Sequence, residues 1–123
     1  MDFQFDNERP IWLQLADALR KQIVAGQFLP GDRLSSVRDL ALQAKVNPNT
    51  MQKALSELES AGLIFTERTN GKFVTNDSRA IEAARHALAE AQAKRYLDEM
   101  QSLGLSPADA AAYLTTATTD RRE

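Results

Sequence analysis

The 123-residue chain has no cysteine and only one histidine, His86. Without cysteine there can be neither a disulfide nor a thiolate metal site, which fits a reducing cytoplasm. His86 sits among Ala, Arg and Leu, where a surface or seam position suits it better than catalysis. There is no glycine-rich phosphate loop, no Ser/His/Asp set and no plausible metal cluster. This inventory argues against an enzyme and gives no reason to expect a metal or cofactor. Long apolar runs are missing as well. No stretch approaches the roughly 18 residues that a membrane helix needs, and the opening MDFQFDNERP is acidic rather than apolar, unlike a signal peptide. Internal repeats and low-complexity tracts are absent, apart from an Ala-rich stretch toward the C-terminus.

What is present describes a small globular domain with an appendage. Hydrophobic residues make up 43% of the chain, an ordinary share for a packed protein. The net charge of −2 argues mildly against nucleic acid, because phosphate binding needs cations. The distribution says more than the sum. Residues 33–53 carry Arg33, Arg38, Lys45 and Lys53 against Asp39 alone, a local charge of 4 − 1 = +3. Residues 77–123 hold 6 Lys/Arg and 8 Asp/Glu, giving 6 − 8 = −2. A basic segment on a mildly acidic body is compatible with a small DNA footprint.

Pro10 can sit in the first turn of a helix, and Ile11, Leu15, Leu19 and Ile23 follow at four-residue spacing with Trp12 beside them. Gly26 ends that helix, and Leu29-Pro30-Gly31 reads as a turn. Ser36 and Asp39 have the spacing of a capping box, opening a short second helix that buries Val37, Leu40, Ala41 and Ala44. Lys45-Val46 is a tight connection. Asn47 and Pro48 cap and start a third helix whose apolar set is Met51, Ala54, Leu55 and Leu58. Residues 63–67 and 72–75 read as strands, with Asn70-Gly71 as a two-residue type I′ hairpin turn. A short helix pair followed by a hairpin is the winged helix-turn-helix arrangement. The expected architecture is therefore mainly α with a small β-hairpin, a winged helix-turn-helix over residues 1–76 followed by a two-helix dimerisation tail over 77–123.

The third helix has the make-up of a recognition helix. At 100° per residue, Asn49, Gln52, Lys53 and Ser56 gather opposite the apolar set. Amide side chains suit adenine edges, and lysine suits phosphate or guanine. Asn47 and Thr50 lie at the partially positive helix N-terminus, which favours a nearby phosphate. Arg38, early in the second helix with Ser36 as its cap, could reach backbone or a base edge, and Arg33 suits phosphate. Asn70, Gly71 and Lys72 at the wing tip can lie along the DNA backbone or the adjacent minor groove. Each feature has a plainer reading: Asn47 is a cap in either case, a polar face with one lysine is often ordinary surface, and Asn-Gly is often just a turn. A winged module that binds protein without reading DNA stays open here, with the acidic overall charge as its support.

The order PGDRL, S-x-R-x-LA, V-N-P-N-T and A-L-x-x-L-x-x-x-G-L-I within residues 26–75 resembles the DNA-binding domain of the GntR family of bacterial regulators. The resemblance implies that Arg38, Asn49, Gln52 and the wing around Gly71 contact double-stranded DNA, with Arg33, Thr50 and Lys53 close by. Two departures stand out: the family usually has proline where Ser35 stands, and its wing usually has glycine at Thr69 and threonine at Lys72. Most such regulators carry a large effector domain after the wing, whereas here residues 77–123 follow. The chain therefore resembles the YtrA-like subfamily, which implies repression of an operon, often one encoding an ABC-type transporter.

Residues 78–103 favour a helix, with Ile81, Ala84, Leu88 and Ala91, then Leu97, Met100 and Leu103, as a thin apolar seam. Gly104 breaks it. Ser106 and Asp109 open a final helix bearing Ala111, Leu114 and Ala117, and the closing TTDRRE is expected to fray. Two helices cannot hide such a seam alone, so it should pair with a second copy or fold back on the first domain, and Ile81, Leu88, Leu97, Met100, Leu103 and Leu114 are expected to form a homodimer seam. Tyr96, Met100 and Tyr113 could line an effector crevice, although core packing explains them more simply. No residue pattern selects a small-molecule effector, an operator sequence or the sign of regulation.

Overall fold

In the computed structural model, which describes residues 3–120, the elements run α1 (Ile11–Val24), α2 (Val37–Ala44), α3 (Pro48–Ser60), β1 (Ile64–Glu67), β2 (Gly71–Val74), α4 (Ser78–Ser102) and α5 (Pro107–Asp120). The chain divides into two compact units, Met1–Arg85 and His86–Glu123. It is mainly helical with one antiparallel hairpin, the class read from the sequence.

In the first unit, α1 buries Leu15, Ala16, Leu19, Ile23 and Val24, while Ile11 at its first turn stays exposed. Pro10 sits one position earlier than expected, as the capping residue, and its carbonyl accepts from the N–H groups of Leu13 and Gln14. At the other end, Arg85 donates twice to the Val24 carbonyl, at 3.0 and 2.6 Å. A cation there satisfies an orphan carbonyl and complements the helix dipole.

Ser36 Oγ accepts from the Asp39 N–H and starts α2, which buries Leu40, Ala41 and Ala44. Val37 is only half-buried. The helix ends on Lys45, held in the left-handed region with φ 58°. A lysine there does the work usually left to glycine, and it turns the chain sharply into α3. Asn47 Oδ1 then accepts from the Asn49 N–H at 2.7 Å, and Pro48 takes the first helical position. Met51, Ala54, Leu55 and Leu58 of α3 are essentially inaccessible. Burying each large apolar side chain contributes about 1.5–3 kcal/mol, so this face locks α3 in rotation about its own axis.

The hairpin departs from the expected turn. Glu67 pairs with Gly71, Thr66 with Lys72, Phe65 with Phe73 and Ile64 with Val74. The connection is the three residues Arg68, Thr69 and Asn70, and only Gly71 has positive φ (96°). A type I′ turn needs positive φ at both central residues, and Asn70 does not adopt it. Ile64 and Val74 face the core, while Phe65 and Phe73 stack on the other face with centroids 5.5 Å apart.

The segment after α1 adds a third edge to this sheet. Asp32 N–H donates to the Leu29 carbonyl across the Leu29-Pro30-Gly31 turn, with proline second and Gly31 third at φ 82°. That is where a type II turn needs glycine. Beyond it, Leu34 N–H donates to the Lys72 carbonyl, Val74 N–H donates to the Asp32 carbonyl, and Arg33 bridges Phe73.

The second unit contains the turns of α4 from His86 onward and α5. Ser106 and Asp109 form a reciprocal capping box, each N–H donating to the other's side chain at 3.1 Å. Tyr96 OH donates to the Ala110 carbonyl at 2.7 Å and lies against the only α5 residue that is buried within the described chain, Ala110. Ala111, Leu114 and Ala117, the apolar set of this helix, are exposed in the single chain. Thr118, Thr119 and Asp120 continue α5 rather than fraying, and Arg121–Glu123 lie outside the described residues. Among the described residues no helix is long and apolar enough to cross a membrane.

Candidate nucleic-acid interface

The core dictates which face of α3 looks outward. With Met51, Ala54, Leu55 and Leu58 turned in, Asn49, Gln52, Lys53 and Ser56 are left on the opposite, exposed face, with Thr50 half-buried beside them. Gln52 Nε2 donates to Ser56 Oγ one turn along at 3.2 Å, which aligns the amide along the helix without burying it. Lys53 Nζ lies 4.7 Å from the ring centroid of Trp12 on α1. Arg38 is exposed in the first turn of α2. The Ser36 hydroxyl and the Asn47 amide oxygen are both engaged as helix caps, so any outward contact they make is additional to that role.

The wing brings Arg33 and Gly71 together. A methyl group placed on Gly71 would lie 3.6–3.7 Å from the Arg33 guanidinium, so the arginine rests against the bare peptide of the turn. Asn70 donates to Glu67 Oε2 at 2.9 Å across that turn. Lys72, the remaining wing residue, does not point out with them. Its Nζ donates to Thr66 Oγ1 at 2.8 Å and meets Glu59 Oε1 at 3.2 Å, and its side chain is only 15% exposed. Thr66 Oγ1 in turn donates to Glu59 Oε1 at 2.9 Å. Partial burial pushes the Glu59 carboxyl up, but hydrogen bonds from Thr66 and Lys72 and the lysine's charge outweigh it and hold the group below its ordinary value.

Sequence reasoning missed this cluster because of the turn. A two-residue Asn70-Gly71 turn would set Lys72 opposite Thr69, whereas the actual register sets it opposite Thr66, next to the end of α3. Trp12 beneath Lys53 was missed for a different reason: only the packing of α1 against α3 brings positions 12 and 53 together.

In the second unit, Leu97, Leu103 and Leu114 are exposed within the single chain, and Leu88 and Met100 are half-buried. Ile81 differs from the rest of the expected seam: it is 6% exposed and belongs to the first unit. An open hollow of about 410 Å³ lies around Leu97, Gln101 and Leu105. Its lining contains none of Tyr96, Met100 and Tyr113.

Comparison with known proteins agrees with this geometry. Residues 12–74 match the bacterial regulatory proteins of the gntR family. The HTH-type transcriptional regulator YhcF of Bacillus subtilis is 39% identical over 106 residues, covering 86% of this chain and 88% of its own. The HTH-type transcriptional repressor YtrA of the same organism is 39% identical over 70 residues, 57% of this chain and 54% of its own. Among solved structures, a GntR family transcriptional regulator from Listeria monocytogenes superposes with a TM-score of 0.84 at 37% identity, covering 91% of this chain and 98% of that one. A helix pair and wing with this exposed polar face, matched by these relatives, place the chain in the GntR family, with likeness to its YtrA group, as a DNA-binding transcriptional regulator and not an enzyme.

Proposed function

We propose that the protein is a cytoplasmic homodimeric repressor that binds a pseudo-palindromic operator. The observation that carries this reading is the α3 surface: Asn49, Gln52 and Lys53 are exposed together, directly opposite a fully buried apolar face. In this reading Asn49 and Gln52 read base edges and Lys53 contacts phosphate or guanine. Arg38 and Arg33 neutralise nearby phosphates, the Thr50 hydroxyl donates to one, and Asn70 and Gly71 lie against the backbone beside the wing. Leu88, Leu97, Met100, Leu103 and Leu114 supply the dimer seam, because exposed apolar side chains grouped on one helical unit favour association with a second surface. Two recognition helices related by a two-fold axis then enter successive major grooves, roughly 34–36 Å apart. Repression is supported by the name of the relative YtrA, and the subfamily resemblance makes a transporter operon the first target to examine.

The test is selection of bound fragments from the source genome with the full chain, followed by a gel-shift titration at several salt concentrations. The expected result is an inverted-repeat motif with binding that weakens steeply as salt rises. Recovery of no common motif, or retention insensitive to salt, would overturn the reading.

A further inference from the structure

We infer that Lys72 is a positioning residue: with Thr66 and Glu59 it forms a clamp that fixes the wing against the C-terminal end of the recognition helix, and it does not itself neutralise a DNA phosphate. The inference rests on the DNA-binding reading above.

Three contacts close a ring. Lys72 on β2 donates to Thr66 on β1 and to Glu59 on α3, and Thr66 donates to the same carboxylate oxygen of Glu59. One glutamate on the helix is therefore held by both strands of the hairpin. The lysine stem is largely covered, and its head group is already committed to an anion. To reach a phosphate it would have to leave that carboxylate and the threonine hydroxyl, exchanging one anion for another. Arg33 and Arg38, by contrast, are exposed. The geometric consequence is specific. Ile64 and Val74 already seat the hairpin in the core, and the clamp adds a polar tie from both strands to the end of α3, which fixes where Arg33 and Gly71 at the wing lie when α3 is seated in the groove.

The clamp and a phosphate contact predict opposite signs for Glu59. Glu59 carries a negative charge close to the DNA-facing surface, so simple electrostatics predicts tighter binding when it is neutralised. A clamp predicts weaker binding. The probe is a labelled duplex recovered from random-sequence DNA by the wild-type full-length chain, titrated by fluorescence anisotropy at several salt concentrations. Failure to recover any preferred duplex would overturn the DNA-binding reading itself and so is distinguishable from failure of the clamp. Given such a duplex, Glu59→Gln and Lys72→Met are each expected to weaken binding several-fold with the slope of log affinity against log salt unchanged. The exchanged pair Glu59→Lys with Lys72→Glu is expected to recover most of the loss while keeping the same net charge. A phosphate contact at Lys72 would instead lower the slope by about 0.9 on its removal. That result, or tighter binding by Glu59→Gln, would overturn the inference. Thermal melts of each variant accompany the titrations, and Lys72→Thr, a β-branched polar residue suited to a strand, provides a variant that should fold even if Lys72→Met does not.

Discussion

Lys53 Nζ lies 4.7 Å from the ring centroid of Trp12, so a charge on the exposed face of α3 is steadied by an aromatic ring on α1. The pairing links the scaffold to the interface, because α1 contributes its core stripe and, beside that stripe, the platform under a candidate phosphate contact. A cation over an aromatic face contributes about 0.5–1 kcal/mol at an exposed site.

Trp12 is the only tryptophan in the chain, so its emission reports on Lys53 directly. Lys53→Ala is expected to change Trp12 fluorescence in the free protein and to lower the salt slope of DNA binding by about 0.9, on every sequence alike. An unchanged slope would place Lys53 outside the phosphate contacts.

Gln52 makes a contrasting prediction. Gln52→Ala should weaken binding to the selected duplex by about 1–3 kcal/mol and relax its preference at one base pair, as loss of a bidentate base contact does. Equal losses on selected and random DNA, measured by competition titration, would remove its base-reading role.

The backbone at Lys45 is a third test. A side chain in the left-handed region costs about 1–2 kcal/mol, and a branched β-carbon makes it worse. Lys45 already carries that cost, so Lys45→Val is expected to destabilise the protein further by the added strain of a branched β-carbon, while Lys45→Gly should be neutral or slightly stabilising despite the added freedom of its unfolded chain. Urea denaturation midpoints decide between these outcomes.

Glu59 supplies a pH dependence. Its carboxyl is held below the ordinary 4.5 in the folded state. A depressed folded value means that its stabilising contribution is present above 4.5 and is lost as pH falls through the lower folded value. The wild type should therefore be more stable than Glu59→Gln at neutral pH, with the gap closing as pH drops below 4.5. Parallel urea melts at neutral and acidic pH measure that gap; a difference constant with pH would mean the carboxylate charge contributes nothing.

The proposed dimer is open to direct measurement. Leu97 and Leu114 are 40% and 51% exposed in the single chain. Leu97→Glu combined with Leu114→Glu should halve the mass seen by sedimentation and lower affinity for a two-half-site duplex, while leaving the melt of the first unit largely intact. A wild-type monomer, or a variant that remains dimeric, would rule out this seam.

Much of the fold was legible because its signals are local. Caps, periodicity and propensity act within a turn or two, so Ser36, Asn47 and the Ser106–Asp109 box start their helices where the sequence indicates. The stripe Met51, Ala54, Leu55 and Leu58 assigns the outward face of α3 by spacing alone. The wing was less legible. Asn-Gly is a strong turn signal, yet the chain makes a longer connection, since the register must also bring Ile64 and Val74 into the core and let residues 31–34 join as a third edge.

Helix starts, helix faces and the outward residues at 49, 52 and 53 are thus properties of the one-dimensional pattern. The partner of Lys72, the ring beneath Lys53, the third edge of the wing and the burial of Ile81 were settled only when distant segments met. The physical reason is range: a cap or an amphipathic stripe is satisfied by neighbours along the chain, whereas strand register and the pairing of a charged side chain depend on which surfaces the packed core brings side by side.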